Sequence, residues 1–210
     1  MKINFFIQAR ATSSRFPNKV LKKMINNKLT ILDMIHHRLK KCKNLFQIFF
    51  VIPNNKNNFE LAKYLKHKEY LFFAGPENNV LGRFYKAAKS IKPDYVVRVT
   101  ADCPFIDHSI LNKLIKKIET NKYDFLSNVN PPTFADGLDL EAFRFNKLEE
   151  AAKNAVNQFD KEHVTPYIKR NSNKVYNLFN NKDYSAMRIT IDYYEDYLVF
   201  KNIMNQINNN

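Results

Sequence analysis

Short apolar runs alternate with segments of helical period along the first half of the chain, and this alternation limits the fold more than any other feature. Apolar runs of about five residues recur at 3–7, 47–52, 70–73 and 95–99, each bounded by polar or turn residues. Between them, Ile31, Met34, Ile35, Arg38 and Leu39 repeat at helical spacing, followed by Phe59, Ala62, Lys63 and Leu65, and then by Val80, Leu81, Phe84 and Ala87. Such alternation predicts an α/β fold, a mostly parallel sheet covered on both faces as a three-layer α/β/α sandwich. Any ligand site is then expected in the crevice beyond the carboxyl ends of the strands.

Beyond residue 107 the pattern predicts a helix over 109–120, a strand over 123–126, and a loop over 130–137, where two prolines and a glycine cluster. An extended segment over 138–145 follows, then helices over 147–157 and 161–169, a last strand over 187–191 and a helix over 195–207. The asparagine tail, 208–210, is expected to fray. With no internal repeat and no long linker, residues 1–210 read as one domain.

The chain holds 34 Lys and Arg against 20 Asp and Glu, a formal net charge of +14, so an anion is the expected partner. Composition leaves nucleic acid, a membrane surface and a small phosphorylated ligand open. Lysines lie scattered beside asparagines with no long basic block, which suits a solvated surface. A nucleic-acid binder would want a helix-turn-helix or an aromatic platform on a basic face, and neither is legible, so no nucleic-acid partner is expected. Cys42 and Cys103 have neither metal-ligand spacing nor the density of a disulfide scaffold, and read as reduced thiols of a cytoplasmic protein. The apolar run at the amino terminus is too short for a signal segment or a membrane span, so no membrane insertion is expected.

Residues 7–21, IQARATSSRFPNKVL, place Arg10, Arg15 and Lys19 in one loop with Thr12, Ser13 and Ser14 at the end of the first expected strand. Guanidinium forks, an ammonium, hydroxyls and backbone N–H groups together suit a phosphate chain. The loop is neither a Walker A sequence nor a dinucleotide fingerprint. Residues 95–107, YVVRVTADCPFID, form a strand ending in a polar turn with Asp102 at its tip. Arg98, Thr100 and Asp102 share parity along it and fall on one side. An aspartate there suits a metal, and equally a turn or cap before Pro104.

Taken together these segments resemble the cytidylyltransferases that activate sialic acid and KDO, above all the spore coat polysaccharide biosynthesis protein F branch. That branch opens I-Q-A-R-x-x-S-x-R-x-P-G-K-V-L and continues R-x-T-A-D-C-P. Asn18 stands here for its glycine, and Thr12 for another common glycine. The resemblance implies a Rossmann-like, GT-A-like nucleotidyltransferase fold. It also implies transfer of CMP from CTP to an acidic or phosphorylated sugar with loss of pyrophosphate, for surface glycan synthesis. Arg10, Lys19 and Asp102 are then catalytic, and Ala9, Arg10, Ser13, Arg15, Lys19, Arg83 and Thr100 bind nucleotide. Mg²⁺ is the implied cofactor, held by Asp102 and by Asp192 in a segment like V-D-x-x-E-D, where Asp196 serves the first helical turn and Asp192 could instead cap the helix.

Weaker matches complete the resemblance. VLGRFY at 80–85 resembles D-V-L-x-R-Y with Asn79 for Asp, so Arg83 faces nucleotide or sugar unless it is a solvated helix residue. ADGLDLEAF at 135–143 resembles G-L-D-x-E, which makes Asp139 and Glu141 acceptor-binding residues, with edge-strand solubility as the other reading. Arg98 joins that acceptor set or serves as an internal ion-pair partner. EHVTPY at 162–167 makes His163 an acceptor contact or a packing residue at a subunit boundary. A homodimer touching through about 130–170, the acceptor-binding subregion, is also implied by the related enzymes.

Overall fold

In the computed structural model, which describes residues 1–209 with side chains to 207, four parallel strands form one side of the sheet: β1 (Ile3–Gln8), β4 (Gln47–Pro53), β5 (Phe72–Gly75) and β6 (Tyr95–Thr100). Between β1 and β4 lie a small hairpin, β2 (Lys23–Ile25) with β3 (Leu29–Thr30), and helix α1 (Ile31–Leu39). Then come α2 (Phe59–His67), α3 (Val80–Ile91) and α4 (His108–Glu119), followed by β7 (Phe125–Ser127), β8 (Glu141–Arg144), α5 (Phe145–Asn154), α6 (Gln158–His163), α7 (Thr165–Arg170), β9 (Val175–Asn177) and α8 (Tyr194–Asn209). The seven-stranded sheet runs β5-β4-β1-β6-β8-β7-β9. β8 is antiparallel to both β6 and β7, and β9 is parallel to β7, so β8 alone runs against the other six strands.

Alternation along β1 assigns the two faces. Ile3, Phe5 and Ile7 pack under α1, α2, α4 and α8, whereas Phe6 packs with Phe84, Phe143 and Leu148 under α3, α5 and α7. The three-layer α/β/α sandwich expected from the sequence is the one observed. No helix among the described residues is long and apolar enough to cross a membrane.

Several local expectations need correction. Residues 187–191 do not join the sheet as a strand. They run extended beside Asp136, with Asp136 N–H donating to the Met187 carbonyl over 2.9 Å and Ile189 N–H to the Asp136 carbonyl over 2.8 Å. The helix expected over 161–169 breaks at Val164, whose φ of 69° is left-handed, and restarts at Thr165 with Pro166 in its first turn, where the missing N–H costs nothing. Only Glu141–Arg144 of the extended segment pairs in the sheet. The hairpin β2–β3 and strand β9 were not expected, being two or three residues long and too short to show alternation. The expectation that the tail frays falls on residues 208–210, whose side chains, with the whole of residue 210, lie outside the described residues.

Candidate active site

The loop after β1 is shaped by its own backbone before any ligand is considered. Asn18 N–H closes it onto the Ala11 carbonyl over 2.9 Å, with Asn18 at φ 56°, a left-handed conformation that asparagine tolerates in place of glycine. Ala11 N–H donates to the buried side-chain oxygen of Asn58, 2.7 Å away. Asn58 in turn donates to Asn55 over 2.7 Å, Asn55 donates to Glu77, and Thr12 Oγ1 donates to the other oxygen of Glu77 over 3.1 Å. This relay pins the loop from behind. Sequence reading missed Asn55, Asn58 and Glu77, because a polar pair in a short loop and a lone glutamate carry no periodic signal.

Lys19 follows in a short 3-10 turn, and its side chain is buried. Its ammonium donates to the Ile191 carbonyl and to Asp192 Oδ1, each over 2.8 Å, and lies 3.7 Å from Asp102 Oδ2. Arg15 reaches the other oxygen of Asp192 at 3.2 Å and lies over the Tyr193 ring, 5.0 Å from its centroid. Asp102 sits just past the carboxyl end of β6, and its carbonyl accepts from Ile191 N–H over 2.8 Å. The two aspartates therefore meet through backbone contact and a shared lysine, without residues 187–191 entering the sheet. Asp196 caps the start of α8, accepting from Asp192 N–H and Tyr193 N–H over 2.9 Å each and pairing with Arg188.

A cleft of about 300 Å³ opens at the carboxyl ends of β1, β4 and β6. Ala9, Arg10, Ser13, Arg15, Lys19, Arg83, Thr100, Asp102, Asp192 and His163 line it, with Gln8 and Glu162 of the quoted motifs, joined by Glu77, Asn78 and Gln158, which the sequence did not single out. Arg83 is no solvated helix residue. It is 2% exposed, donates to the Pro76 carbonyl over 3.2 Å, and leaves its Nε without a hydrogen-bond partner among the described residues. Burial pulls its guanidinium down to about 10, opposed by Glu77 and helped by Arg10. Asn79 caps α3 by accepting from Gly82 N–H over 2.7 Å.

Arg98, Asp139 and Glu141 stand outside the cleft lining. Arg98 on β6 faces Glu141 on β8 in register, their charged groups 2.5 Å apart, and also donates to Gln8 Oε1. Thr165 Oγ1 donates to the second oxygen of Glu141 over 2.8 Å. Asp139 is half-buried, and its carboxyl is pushed up to about 6 by burial, then by Asp136, Glu141 and Asp102. His163 is exposed and packs on Phe159 with ring centroids 4.5 Å apart. Burial also holds the Cys42 thiol up at about 12 and the Cys103 thiol well above its ordinary value, so both stay protonated.

Residues 5–206 match the family model described as cytidylyltransferase. The chain belongs to the cytidylyltransferase family. It is accordingly a nucleotidyltransferase enzyme, in the Rossmann-like α/β fold of that family. The spore coat polysaccharide biosynthesis protein SpsF of Bacillus subtilis is 31% identical over 208 residues, covering 93% of this chain and 83% of that protein. An uncharacterized protein of Methanocaldococcus jannaschii is 36% identical over 205 residues, covering 95% and 82%. Among solved structures, a cytidylyltransferase from Leptospira borgpetersenii is 32% identical, with a TM-score of 0.88 over 96% of this chain and 85% of that one. A synthetase of CMP-2-keto-3-deoxy-manno-octonic acid complexed with CTP shares the fold at a TM-score of 0.71 and 10% identity, covering 99% of this chain and all of that one.

Proposed function

We propose that this cytidylyltransferase moves CMP from CTP onto an acidic or phosphorylated sugar, with Mg²⁺ as cofactor, in the synthesis of a surface glycan. The observation that carries the reading is the convergence of Asp102 and Asp192 on the Lys19 ammonium, in a cleft whose mouth holds Arg10 and Arg15. Family membership and the likeness to SpsF of Bacillus subtilis support the nucleotide and the pathway class.

The reaction is an in-line displacement. An oxygen of the acceptor sugar bonds to the α-phosphorus of CTP while the bond from that phosphorus to the bridging oxygen breaks, and pyrophosphate leaves. Arg10, Arg15 and Lys19 face the negative charge that accumulates on the leaving group, and the relay of Asn58, Asn55 and Glu77 holds their loop in place. Two carboxylates on separate segments fit an ion that takes one or two carboxylates and completes its shell with phosphate and water. Asp102 and Asp192 would hold it, and when bound it neutralises charge at the phosphates.

The reading extends to a homodimer touching through residues 130–170, where Val156 and Phe159 stand 85% and 60% exposed, and to a cytoplasmic location, which two buried protonated thiols suit. Arg98, Asp139, Glu141 and His163 remain the proposed acceptor residues. His163 lines the cleft, and Arg98, Asp139 and Glu141 stand beside it where β6 meets the antiparallel β8, which supports an acceptor entering from that side. The test is a pyrophosphate-release screen of CTP, UTP, GTP and ATP, with and without Mg²⁺, against sialic acid-like, KDO-like and sugar-phosphate acceptors. Release from CTP alone, dependent on Mg²⁺ and on one acceptor class, is expected. Release from a different nucleotide with none from CTP overturns the proposal.

A further inference from the structure

The positive charge is not spread evenly along the chain. Residues 1–71 carry 15 of the 34 Lys and Arg and only 3 of the 20 Asp and Glu, whereas residues 72–210 carry 19 and 17. Within residues 22–71 there are ten lysines and one arginine against Asp33, Glu60 and Glu69, and Asp33 is fully buried. This segment builds β2, β3, α1, β4 and α2, with α1 and α2 on one face of the sheet near its β5 edge.

Two grooves adjoin on that lobe and share Lys68. One is lined by Lys40, Phe46, Lys68 and Leu71 over a floor that includes His36, and the other by Leu21, Lys23, Lys28, Lys63, Tyr64 and Lys68. Among the described residues, only Lys68 of these five lysines comes within 4.0 Å of a carboxylate, that of Asp33 at 3.8 Å. Phe46 and Leu71 are 50% and 46% exposed, and the Lys2 ammonium lies over the Phe46 ring at 5.7 Å. Phe46 immediately precedes β4 and Leu71 immediately precedes β5, at the amino ends of the parallel strands. The cleft lies at their carboxyl ends.

We infer that this lobe docks on the anionic headgroups of a lipid bilayer, with lysines supplying attraction and Phe46 and Leu71 entering the headgroup layer. Lysine carries a compact, hydrated point charge that adds to attraction by an anionic leaflet without any fixed partner geometry. A bilayer interface accepts apolar side chains and cations side by side. Duplex recognition draws instead on arginine forks and on a helix presented to a groove. Entry of Phe46 and Leu71, at the amino ends of β4 and β5, leaves the cleft at the carboxyl ends open to water.

The inference does not depend on which nucleotide or acceptor is used, and it is tested on the full chain by co-sedimentation with vesicles. Vesicles of mixed phosphatidylglycerol and phosphatidylcholine are expected to capture the protein at low salt and release it at high salt, and vesicles of phosphatidylcholine alone to leave it in solution. The triple variant Lys28→Glu, Lys40→Glu, Lys63→Glu should lose about a hundredfold in partitioning, and Phe46→Ser should lose a further part that salt does not mimic. An equal charge change elsewhere, Lys113→Glu, Lys174→Glu, Lys182→Glu, should cost much less, with circular dichroism and melting temperature showing both triple variants folded. No capture by the anionic vesicles, equal losses in the two triple variants, or salt-sensitive binding to random duplex DNA without vesicle binding would each overturn it.

Discussion

The ammonium of Lys19 donates to Oδ1 of Asp192 across 2.8 Å, joining the first loop of the chain to a residue 173 positions later. The same ammonium faces Asp102, so one buried cation stands between both acids of the cleft. Removing it takes a donor from the Ile191 carbonyl and from Asp192, which keeps Arg15, and takes the nearby cation from Asp102. Lys19→Ala and Asp102→Ala are each expected to cut turnover by at least about a hundredfold, the usual cost of losing a charge-stabilising group. Lys19→Ala should also lower stability by about 1–3 kcal/mol. Pyrophosphate release and denaturant titration measure the two effects separately, and full activity in either variant at limiting Mg²⁺ would remove the site assignment.

Asn58 acts on the nucleotide only through the loop. Its side-chain oxygen is the acceptor for Ala11 N–H, and its amide starts the relay to Glu77. Asn58→Ala should therefore raise KM for CTP more than it lowers kcat, and cost about 1–3 kcal/mol of stability by stranding a buried donor. Steady-state kinetics at saturating acceptor would reveal the split.

Gly137 has φ 107°, and a Cβ there would stand 2.9 Å from both the Ile189 carbonyl carbon and the Thr190 nitrogen. Gly137→Ala should destabilise by about 1–3 kcal/mol through backbone strain. It should also push away the segment that carries Asp192, so activity should fall further than the melting temperature suggests.

The Asp139 carboxyl titrates near 6 in the folded chain against 3.8 when unperturbed. Its proton is held more tightly by the folded state, so stability falls as pH rises from about 4 to 6 and stays lower above that. Asp139→Asn should consequently be more stable than the parent by about 2 kcal/mol above pH 6 and equal to it below pH 4. A gain confined to the low-pH side would contradict the assignment.

His36 behaves in the opposite sense. It is buried, stacked on Tyr70 at 4.0 Å between ring centroids, and its Nδ1 has no hydrogen-bond partner among the described residues. Burial, then Lys40 and His37, lower its imidazole from 6.5 to about 4, with Asp33 opposing. The unfolded chain takes up this proton first, so stability is complete above pH 6.5 and falls by up to about 1.4 kcal/mol per unit as pH drops toward 4. His36→Phe should flatten that slope by one proton in denaturation curves taken across the range.

The parallel half of the fold was legible because β1, β4 and β6 each carry four or more apolar residues and the helices between them keep a helical period. The cationic loop after β1 was legible from residue types alone. What escaped were features set by tertiary contact: the left-handed Val164 that divides α6 from α7, the hairpin β2–β3, and the relay through Asn55, Asn58 and Glu77. Residues 187–191 have the composition of a strand but take most of their partners from the Gly137 turn and the Asp102 loop, so their apolar run indicated burial and not pairing. The sequence left Arg83 between a nucleotide or sugar contact and a solvated helix residue, and the burial of its stem against Gly75 removes the second reading.

α8 grips the start of the chain: Tyr197 donates to the Lys23 carbonyl, Phe16 packs edge-on against Tyr194, and Asp192 stands two residues before the helix. During synthesis β1 and the loop after it emerge first, and that loop stays without its contact to Asp192 until position 192 has been added. A ribosome-bound intermediate can thus build the parallel core while its cleft lacks one wall. The cleft is completed in one step, when that residue arrives.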